Sequence, residues 1–495
     1  MRYNILFGGE AGQGPNVLTN VLGEALVKLG YFVYYSRDYQ SLIRGGHNFN
    51  VLTFSDDEVN SNDSKMDIIV SIDEATTKIH KDELKEGGIL LDGDHQNMYF
   101  AGQLFKVLGL PYEVLEEELR ILGKRFEENM EEAKEGYDEA KCCFKIVKSK
   151  KNKGIFVDGN EGISEGAIKS GLDMYYAYPM TPATSVLTQL AQKEKDNDYF
   201  TMELENEISV INATIGSAMT GEIAMCGTSG GGFDLMTESL SLSGVAGVPV
   251  TIFLSQRPGP GTGVATYTAQ GDLNMARHSG HGEFNRVLFA PGDPVQAFEL
   301  TNQAIYFSQK FGVPAIVISD KHLGESFYTI DSWPEVKKVE KKHVLKRYNS
   351  YEKDEEGSAT EDSEIIEENV LERREVSLRI ERESFNFSKY EVFGDKKSKN
   401  VVVSWGSTKG VIIDAIKDLD VKFIQIKYLE PFPYELASEF GDNLILVENS
   451  ATGQLASLIA EKTGIIIEEE SKILRFDGRP FLCDELKKET KEKLK

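Results

Sequence analysis

The chain has 495 residues, with 80 Asp and Glu against 55 Lys and Arg and a formal net charge of −25 at pH 7. With domains usually running about 100 to 200 residues, that length implies two to four domains with cores of their own. The acidic field repels nucleic acid and anionic membrane surfaces. No apolar run approaches the ~20 residues needed to span a bilayer and no secretory apolar region follows the opening strand, so a cytoplasmic protein is expected.

A strand over residues 3–7 runs into the turn Gly8-Gly9-Glu10-Ala11-Gly12-Gln13-Gly14. Apolar positions Val17, Val21, Leu22, Ala25, Leu26 and Leu29 then follow at helical spacing. Backbone amides at such a junction can cradle an anion. The glycine order is not GxGxxG, although Asp38 lies about where a ribose-binding acid would fall. Strand-like runs at 31–35, 68–72 and 89–91 alternate with helical or polar stretches, the pattern of a mostly parallel α/β sheet. A second turn, Ser41-Leu42-Ile43-Arg44-Gly45-Gly46-His47, brings one cation to a flexible backbone. Two readings account for these clusters: ordinary tight turns, or an anion site built from Gly12, Gln13, Gly14, Arg44, Gly45 and Gly46. A charged helical segment at 112–140 closes a first unit, 1–147, and the Lys-rich stretch 148–153 reads as a linker.

A second α/β unit covers 154–330, with strands expected at 174–177, 223–225, 250–254, 287–289 and 315–318. Each is followed by Gly, Pro or Ser and then a helical pattern, so functional loops should gather at the strands' carboxyl ends. In Tyr178-Pro179-Met180-Thr181-Pro182 two prolines stiffen the backbone around one hydroxyl. Thr181 is either a helix N-cap with proline at the first helical position, or a ligand-binding hydroxyl. Glu207 falls in the first turn of a helix marked by Ile208, Ile211, Ile215 and Ala218. A glutamate there can simply favour the helix dipole, by about 0.3 to 1 kcal/mol. Arg257 is the sole cation of Ser255-Gln256-Arg257-Pro258-Gly259-Pro260-Gly261-Thr262-Gly263. It is an exposed loop residue or a carboxylate-binding fork past a parallel strand.

Residues 331–399 are charged, poor in apolar periodicity and expected to form a connecting arm. A third, smaller α/β unit, 400–495, has strands at 401–403, 422–426 and 444–447. Cys142, Cys143, Cys226 and Cys483 contain no CxxC pair and no group of four, and read as idle thiols in a reducing compartment. His278 and His281 have no nearby cysteine or clear acidic third ligand and read as loop residues, so no metal site is expected on this chain.

The Gly159-Asn160-Glu161-Gly162-Ile163-Ser164-Glu165 segment, the Tyr-Pro-Met-Thr-Pro loop, Glu205-Asn206-Glu207, Thr228-Ser229-Gly230-Gly231-Gly232-Phe233 and the loop 256–263 together resemble the alpha subunits of 2-oxoacid:ferredoxin oxidoreductases. The first unit is similar to the family's gamma subunit, here fused ahead of alpha. The arm's Asp354-Glu355-Glu356-Gly357 and the tail's Phe476-Asp477-Gly478-Arg479-Pro480 also fit, so the resemblance covers nearly the whole chain.

It implies a multidomain α/β fold: a gamma-type domain, a pyrimidine-type thiamine diphosphate domain, and a transketolase C-terminal-like domain that mainly supports assembly. By the same resemblance Glu207 is the catalytic acid that hydrogen-bonds N1′ of the cofactor's aminopyrimidine. Tyr178, Pro179, Thr228, Ser229 and Gly230 line the cofactor, while Thr181 and Arg257 bind the carboxylate and keto end of the 2-oxoacid. Met180, Ala183, Gly261 and Val264-Ala265 depart from the family's usual residues around that pocket.

The implied reaction is oxidative decarboxylation of a 2-oxoacid, 2-oxoglutarate or a broad range, to an acyl-coenzyme A, with electrons passing to ferredoxin. The first unit would place coenzyme A or cover the site. The Gly-Asp-Gly and Asn that hold diphosphate and magnesium in thiamine enzymes are missing. Asp92-Gly93-Asp94 is the nearest look-alike, in the wrong domain. Mg²⁺ and an iron–sulfur cluster are therefore expected on a beta partner in a hetero-oligomer. The rivals are a nicotinamide-dependent dehydrogenase built on the N-terminal glycine turn and a non-catalytic assembly or regulatory subunit.

Overall fold

The computed structural model describes residues 2–40, 46–123, 125–146, 149, 153–342 and 350–494. Three sheets organise the chain. The first runs in the order Leu84–Leu91, Met66–Ser71, Arg2–Glu10, His47–Ser55, Phe32–Asp38, Phe327–Ile330, Ile155–Asp158. Four of its six pairings are antiparallel, so the expectation of a mostly parallel sheet is corrected. The strand His47–Ser55 follows Phe32–Asp38 too closely for a crossover helix, which takes a dozen or more residues, so the two pair antiparallel.

The first sheet also takes in Ile155–Asp158 and Phe327–Ile330, the two segments that open and close the expected second unit. The first two units thus share one sheet, and the boundary near 150 divides the sequence without dividing the hydrogen bonding. Within the Lys-rich stretch, 148 and 150–152 lie outside the described residues.

The second sheet has the order Tyr428–Glu430, Val287–Phe289, Ala315–Asp320, Thr251–Gln256, Ala224–Thr228, Met174–Ala177, Phe200–Glu203. All its pairings are parallel except the one made by Tyr428–Glu430, an edge strand lent by the third unit. Every residue of Thr251–Gln256 is buried, which suits a parallel strand covered by helices on both faces. The third sheet, Tyr390–Gly394, Lys422–Ile426, Asn400–Trp405, Asn443–Glu448, Lys472–Leu474, is parallel apart from its first pairing.

The arm differs from its sequence expectation. It contains the 22-residue helix Ser363–Ser384, capped by Asp362 accepting from the Glu364 and Ile365 N–H groups. Only Ile380 and Ser384 of that helix are buried, so it has no apolar stripe for periodicity to reveal. The ion pairs Arg373–Glu352 and Lys310–Glu383, both 2.6 Å, tether it. Among the described residues no helix is long and apolar enough to cross a membrane, and no group of three or more His, Cys, Asp or Glu could hold a metal ion.

Glu448, at the end of Asn443–Glu448, is fully buried. One carboxyl oxygen accepts the Leu455 N–H at 3.0 Å and the other has no partner. Burial pushes its pKa up to about 7. A folded-state pKa above the unfolded value means that the native state binds the extra proton, so this group's contribution to stability falls as pH rises from about 4.5 to 7. Glu448→Gln should therefore raise the melting temperature at pH 8, by the equivalent of about 2 to 3 kcal/mol, and much less at pH 5. Equal shifts at both pH values would remove the titration argument.

Candidate active site

The carboxyl ends of Met174–Ala177, Ala224–Thr228 and Thr251–Gln256 lie side by side and lead into the loops 178–183, 229–230 and 257–272. This is the edge at which open α/β sheets bind ligands. Asn160, buried in the helix Gly159–Lys169, donates its side-chain N–H to the Pro182 carbonyl at 3.1 Å and so fixes the first loop from behind. Tyr178 stands exposed on the rim, and Pro179 is half-buried.

Glu207 occupies the first turn of the helix Asn206–Met219. Val210, Ile211, Ile215 and Ala218 seat that helix in the core, each aliphatic burial there contributing about 1.5 to 3 kcal/mol. The exposed N–H groups of its first turn are served by Asn206. That residue turns the chain at φ 58°, and its Oδ1 accepts from Ile208 N at 3.0 Å and Ser209 N at 3.1 Å.

Glu207 is only 3 % exposed, and its Oε1 has no hydrogen-bond partner. A dipole gain of about 0.3 to 1 kcal/mol does not offset an orphaned buried acceptor, which costs about 1 to 3 kcal/mol or more. The carboxyl lies against Thr228 and Gly232: a Cβ on Gly232 would overlap both Glu207 Oε1 and Thr228 Oγ1. Glu203 and Glu205 are exposed.

Arg257 donates from Nη1 to the Thr181 carbonyl at 2.8 Å, while its Nε is buried without a partner. Burial lowers its pKa, against the opposing pull of Asp272 and Glu207. Thr181 and Arg257 are thus brought together, through the threonine's backbone. Thr181 is not a helix N-cap, which corrects that reading: the helix Thr184–Lys193 begins later, after Ala183, because Met180 to Ala183 form a separate turn with Ala183 N and Thr184 N both bonded to Met180 O. Ser229 is fully buried with an unpartnered Oγ, directly ahead of Gly230. Glu207 Oε1, Arg257 Nε and Ser229 Oγ are therefore three orphaned buried atoms at one sheet edge.

In the sequence Gly232 and Gln256 appear only as members of motifs, with no role of their own, and Asp272 is not singled out. Gln256 is fully buried, donating to Ser319 O at 3.0 Å and accepting from Asp272 N at 3.0 Å. A glutamine at the end of a short strand whose centre is apolar is the signal that could have found it.

The N-terminal glycine turn does not join this constellation. Gln13 Oε1 accepts the Glu10 N–H at 2.7 Å, closing its own turn, and Gly12 and Gly14 take φ of 96° and 88°. Gly46 packs against Gln40; Arg44 and Gly45 lie outside the described residues. Asp38, expected where a ribose-binding acid would stand, is instead paired with Arg479 at 3.0 Å. Asp92-Gly93-Asp94 follows the strand Leu84–Leu91 in the first sheet.

Two family descriptions match the chain: pyruvate ferredoxin/flavodoxin oxidoreductase over residues 4–96, and the thiamine diphosphate-binding part of pyruvate flavodoxin/ferredoxin oxidoreductase over 165–394. The 2-oxoacid:ferredoxin oxidoreductase subunit alpha of a Sulfolobus species is 29% identical, over 98% of this chain and 96% of that protein. The 2-oxoglutarate synthase subunit KorA of Archaeoglobus fulgidus is 29% identical over 60% of this chain and 88% of that protein. A structure of 2-oxoglutarate:ferredoxin oxidoreductase from Magnetococcus marinus, with 2-oxoglutarate, coenzyme A and succinyl-CoA bound, shares the fold. It superposes with a TM-score of 0.90 over all of both chains at 23% identity. The buried acid, the strand-end loops and the near full-length similarity agree, and the chain belongs to the 2-oxoacid:ferredoxin oxidoreductase alpha-subunit family.

Proposed function

We propose that this chain, in the cytoplasm and together with a beta subunit, oxidatively decarboxylates a 2-oxoacid to an acyl-coenzyme A and passes the electrons to ferredoxin. The observation that carries the reading is the buried Glu207 carboxyl, whose Oε1 has no partner among the described residues. Its surroundings fit the aminopyrimidine end of thiamine diphosphate: an orphaned acceptor, the close approach that Gly232 permits, and the neighbouring Thr228, Ser229 and Gly230, with Tyr178 and Pro179 on the rim. When bound, that cofactor supplies a carbon nucleophile and a sink for the electron pair left by carbon dioxide.

With that cofactor bound, Glu207 would hold a proton toward the aminopyrimidine ring and so would favour the tautomer that this chemistry requires. Arg257 receives the substrate's carboxylate through the guanidinium N–H groups not bonded to Thr181, with the Thr181 hydroxyl beside the keto oxygen. Substrate of the 2-oxoglutarate class suits this reading. The diphosphate's Mg²⁺ and the iron–sulfur cluster belong to the beta subunit. Coenzyme A approaches along the first unit, where Gly12 and Gly14 offer backbone and Gln13 stabilises the turn, with Arg44, Gly45 and Gly46 of the sequence supplying the expected charge and flexibility.

Copurification with a beta chain tests the whole. The complex should reduce ferredoxin only when 2-oxoacid and coenzyme A are both present, and the lone chain should be colourless and inactive. Stoichiometric iron–sulfur absorbance in the lone chain, or a complex that oxidises no 2-oxoacid, would overturn it.

A further inference from the structure

Asp272 ends the loop that leaves Thr251–Gln256 and stands at the N-cap of the short helix Leu273–His278, yet its side chain makes no cap hydrogen bond. Its Oδ2 is buried and has no partner. The carboxyl faces Gly230 on its side-chain side, where a Cβ would sit 2.6 Å from Oδ2 and 3.3 Å from Oδ1. That glycine follows Ser229 at the sheet edge that also holds Glu207 and Arg257.

The placement is not a loose loop conformation. Gln270 N donates to Asn449 O at 2.6 Å, Asn449 N to Gln270 Oε1 at 2.8 Å, and Gln270 Nε2 to Trp405 O at 2.7 Å. Gln454 closes the other side, donating to Gly271 O at 2.7 Å and accepting from Asn274 N at 2.8 Å. The third unit thus clamps the loop on both sides of Asp272 and holds an unpaired acid against the site.

We propose that Asp272 is a specificity-determining residue for the carboxylate end of the substrate: when that carboxylate docks on Arg257, Asp272 takes one proton from solvent and donates it back as a hydrogen bond. One O–H bond forms on Asp272, and nothing is oxidised or reduced. The inference rests on the proposed function and deepens it. Asp272 makes no ion pair with Arg257 but acts on its charge through space, and a second carboxylate brought to that guanidinium cannot cheaply stay ionised together with Asp272 in a desolvated pocket.

Asp272 is already poised for this exchange. Its pKa is raised to about 6, by burial first and then by the like charge of Asp234 on the helix Gly230–Ala246, with Arg257 pulling the other way. Of the other charged groups nearby, Glu207 is the unpartnered acid of the same edge, beside Gly232, while Arg277 and Asp320 are engaged elsewhere. Arg277 pairs with Glu461 at 2.8 Å at the far end of the short helix, and Asp320 accepts the Thr268 hydroxyl at 3.1 Å and the Leu323 N–H at 3.0 Å. At neutral pH Asp272 is therefore mostly charged until a second carboxylate arrives.

Because docking takes up a proton, binding must weaken as pH rises above the free enzyme's Asp272 pKa. In the alpha–beta complex with saturating coenzyme A and acceptor, kcat/KM for 2-oxoglutarate should fall between pH 7 and 8.5, approaching about tenfold per pH unit. Asp272→Asn, which carries a permanent donor, should flatten that fall. Asp234→Asn leaves Asp272 in place but removes a charge that raises its pKa, and should move the onset to lower pH. A flat wild-type profile, an unchanged slope in Asp272→Asn, or an unmoved onset in Asp234→Asn overturns the proposal. A wild-type complex that oxidises no 2-oxoacid at any pH instead overturns the functional reading beneath it.

Discussion

Replacing Glu207 by glutamine is expected to slow turnover of the alpha–beta complex by about 10² to 10⁴-fold, the range for removing a positioned acid–base group. The substitution keeps shape and a hydrogen-bonding end, and the helix keeps its N-terminal partners because Asn206 supplies them. Folding should therefore survive. Removing a buried unpaired carboxyl should even raise the melting temperature slightly, the reverse of what a helix-stabilising glutamate would do. Cofactor should still bind while exchange of its C2 proton, followed by NMR, slows with turnover. Glu203 and Glu205 are exposed, so Glu205→Gln is the matched control. Wild-type exchange in Glu207→Gln with slow exchange in Glu205→Gln would reassign the acid.

What the sequence made legible follows from how local the signals are. Glu207 could be placed in a helix's first turn because Ile208 to Ala218 repeat at helical spacing, and Arg257 because glycines and prolines mark its loop. Burial and partner count are what bear on the bland and the functional reading of each, and those arise only on packing. The first sheet was misread as mostly parallel because the alternation of strands and helices does not report which strand pairs with which. The pairing of 155–158 with 327–330 spans the entire second unit.

The arm helix Ser363–Ser384 is hard to read from the sequence because part-buried ion pairs and only two apolar anchors, Val376 and Ile380, hold it in place of a full apolar stripe. Asp272 was invisible for a related reason: a lone aspartate ahead of a short helix reads as a cap, and the clamp that orients it comes from residues 405, 449 and 454. The third unit, expected mainly to support assembly, thereby takes part in shaping the site.

Arg257→Met should raise KM for the 2-oxoacid by about 10- to 100-fold while leaving KM for coenzyme A within a few-fold of wild type. A charge-assisted bond to a carboxylate contributes about 1.5 to 3 kcal/mol, and methionine supplies bulk without a donor. The change also removes the bond from Nη1 to the Thr181 carbonyl, so part of any loss could come from a loosened 178–183 loop. Asn160 provides the means of separating the two effects, since it holds the same loop through the Pro182 carbonyl and makes no contribution to the charge. Asn160→Ala should disturb kcat and both KM values together, whereas Arg257→Met should act on the 2-oxoacid alone. Arg257→Lys keeps the charge but loses the fork and should fall between wild type and methionine. Equal rises in both KM values for Arg257→Met would mean that the arginine only braces the loop, and the carboxylate would then have to be held by the partner subunit.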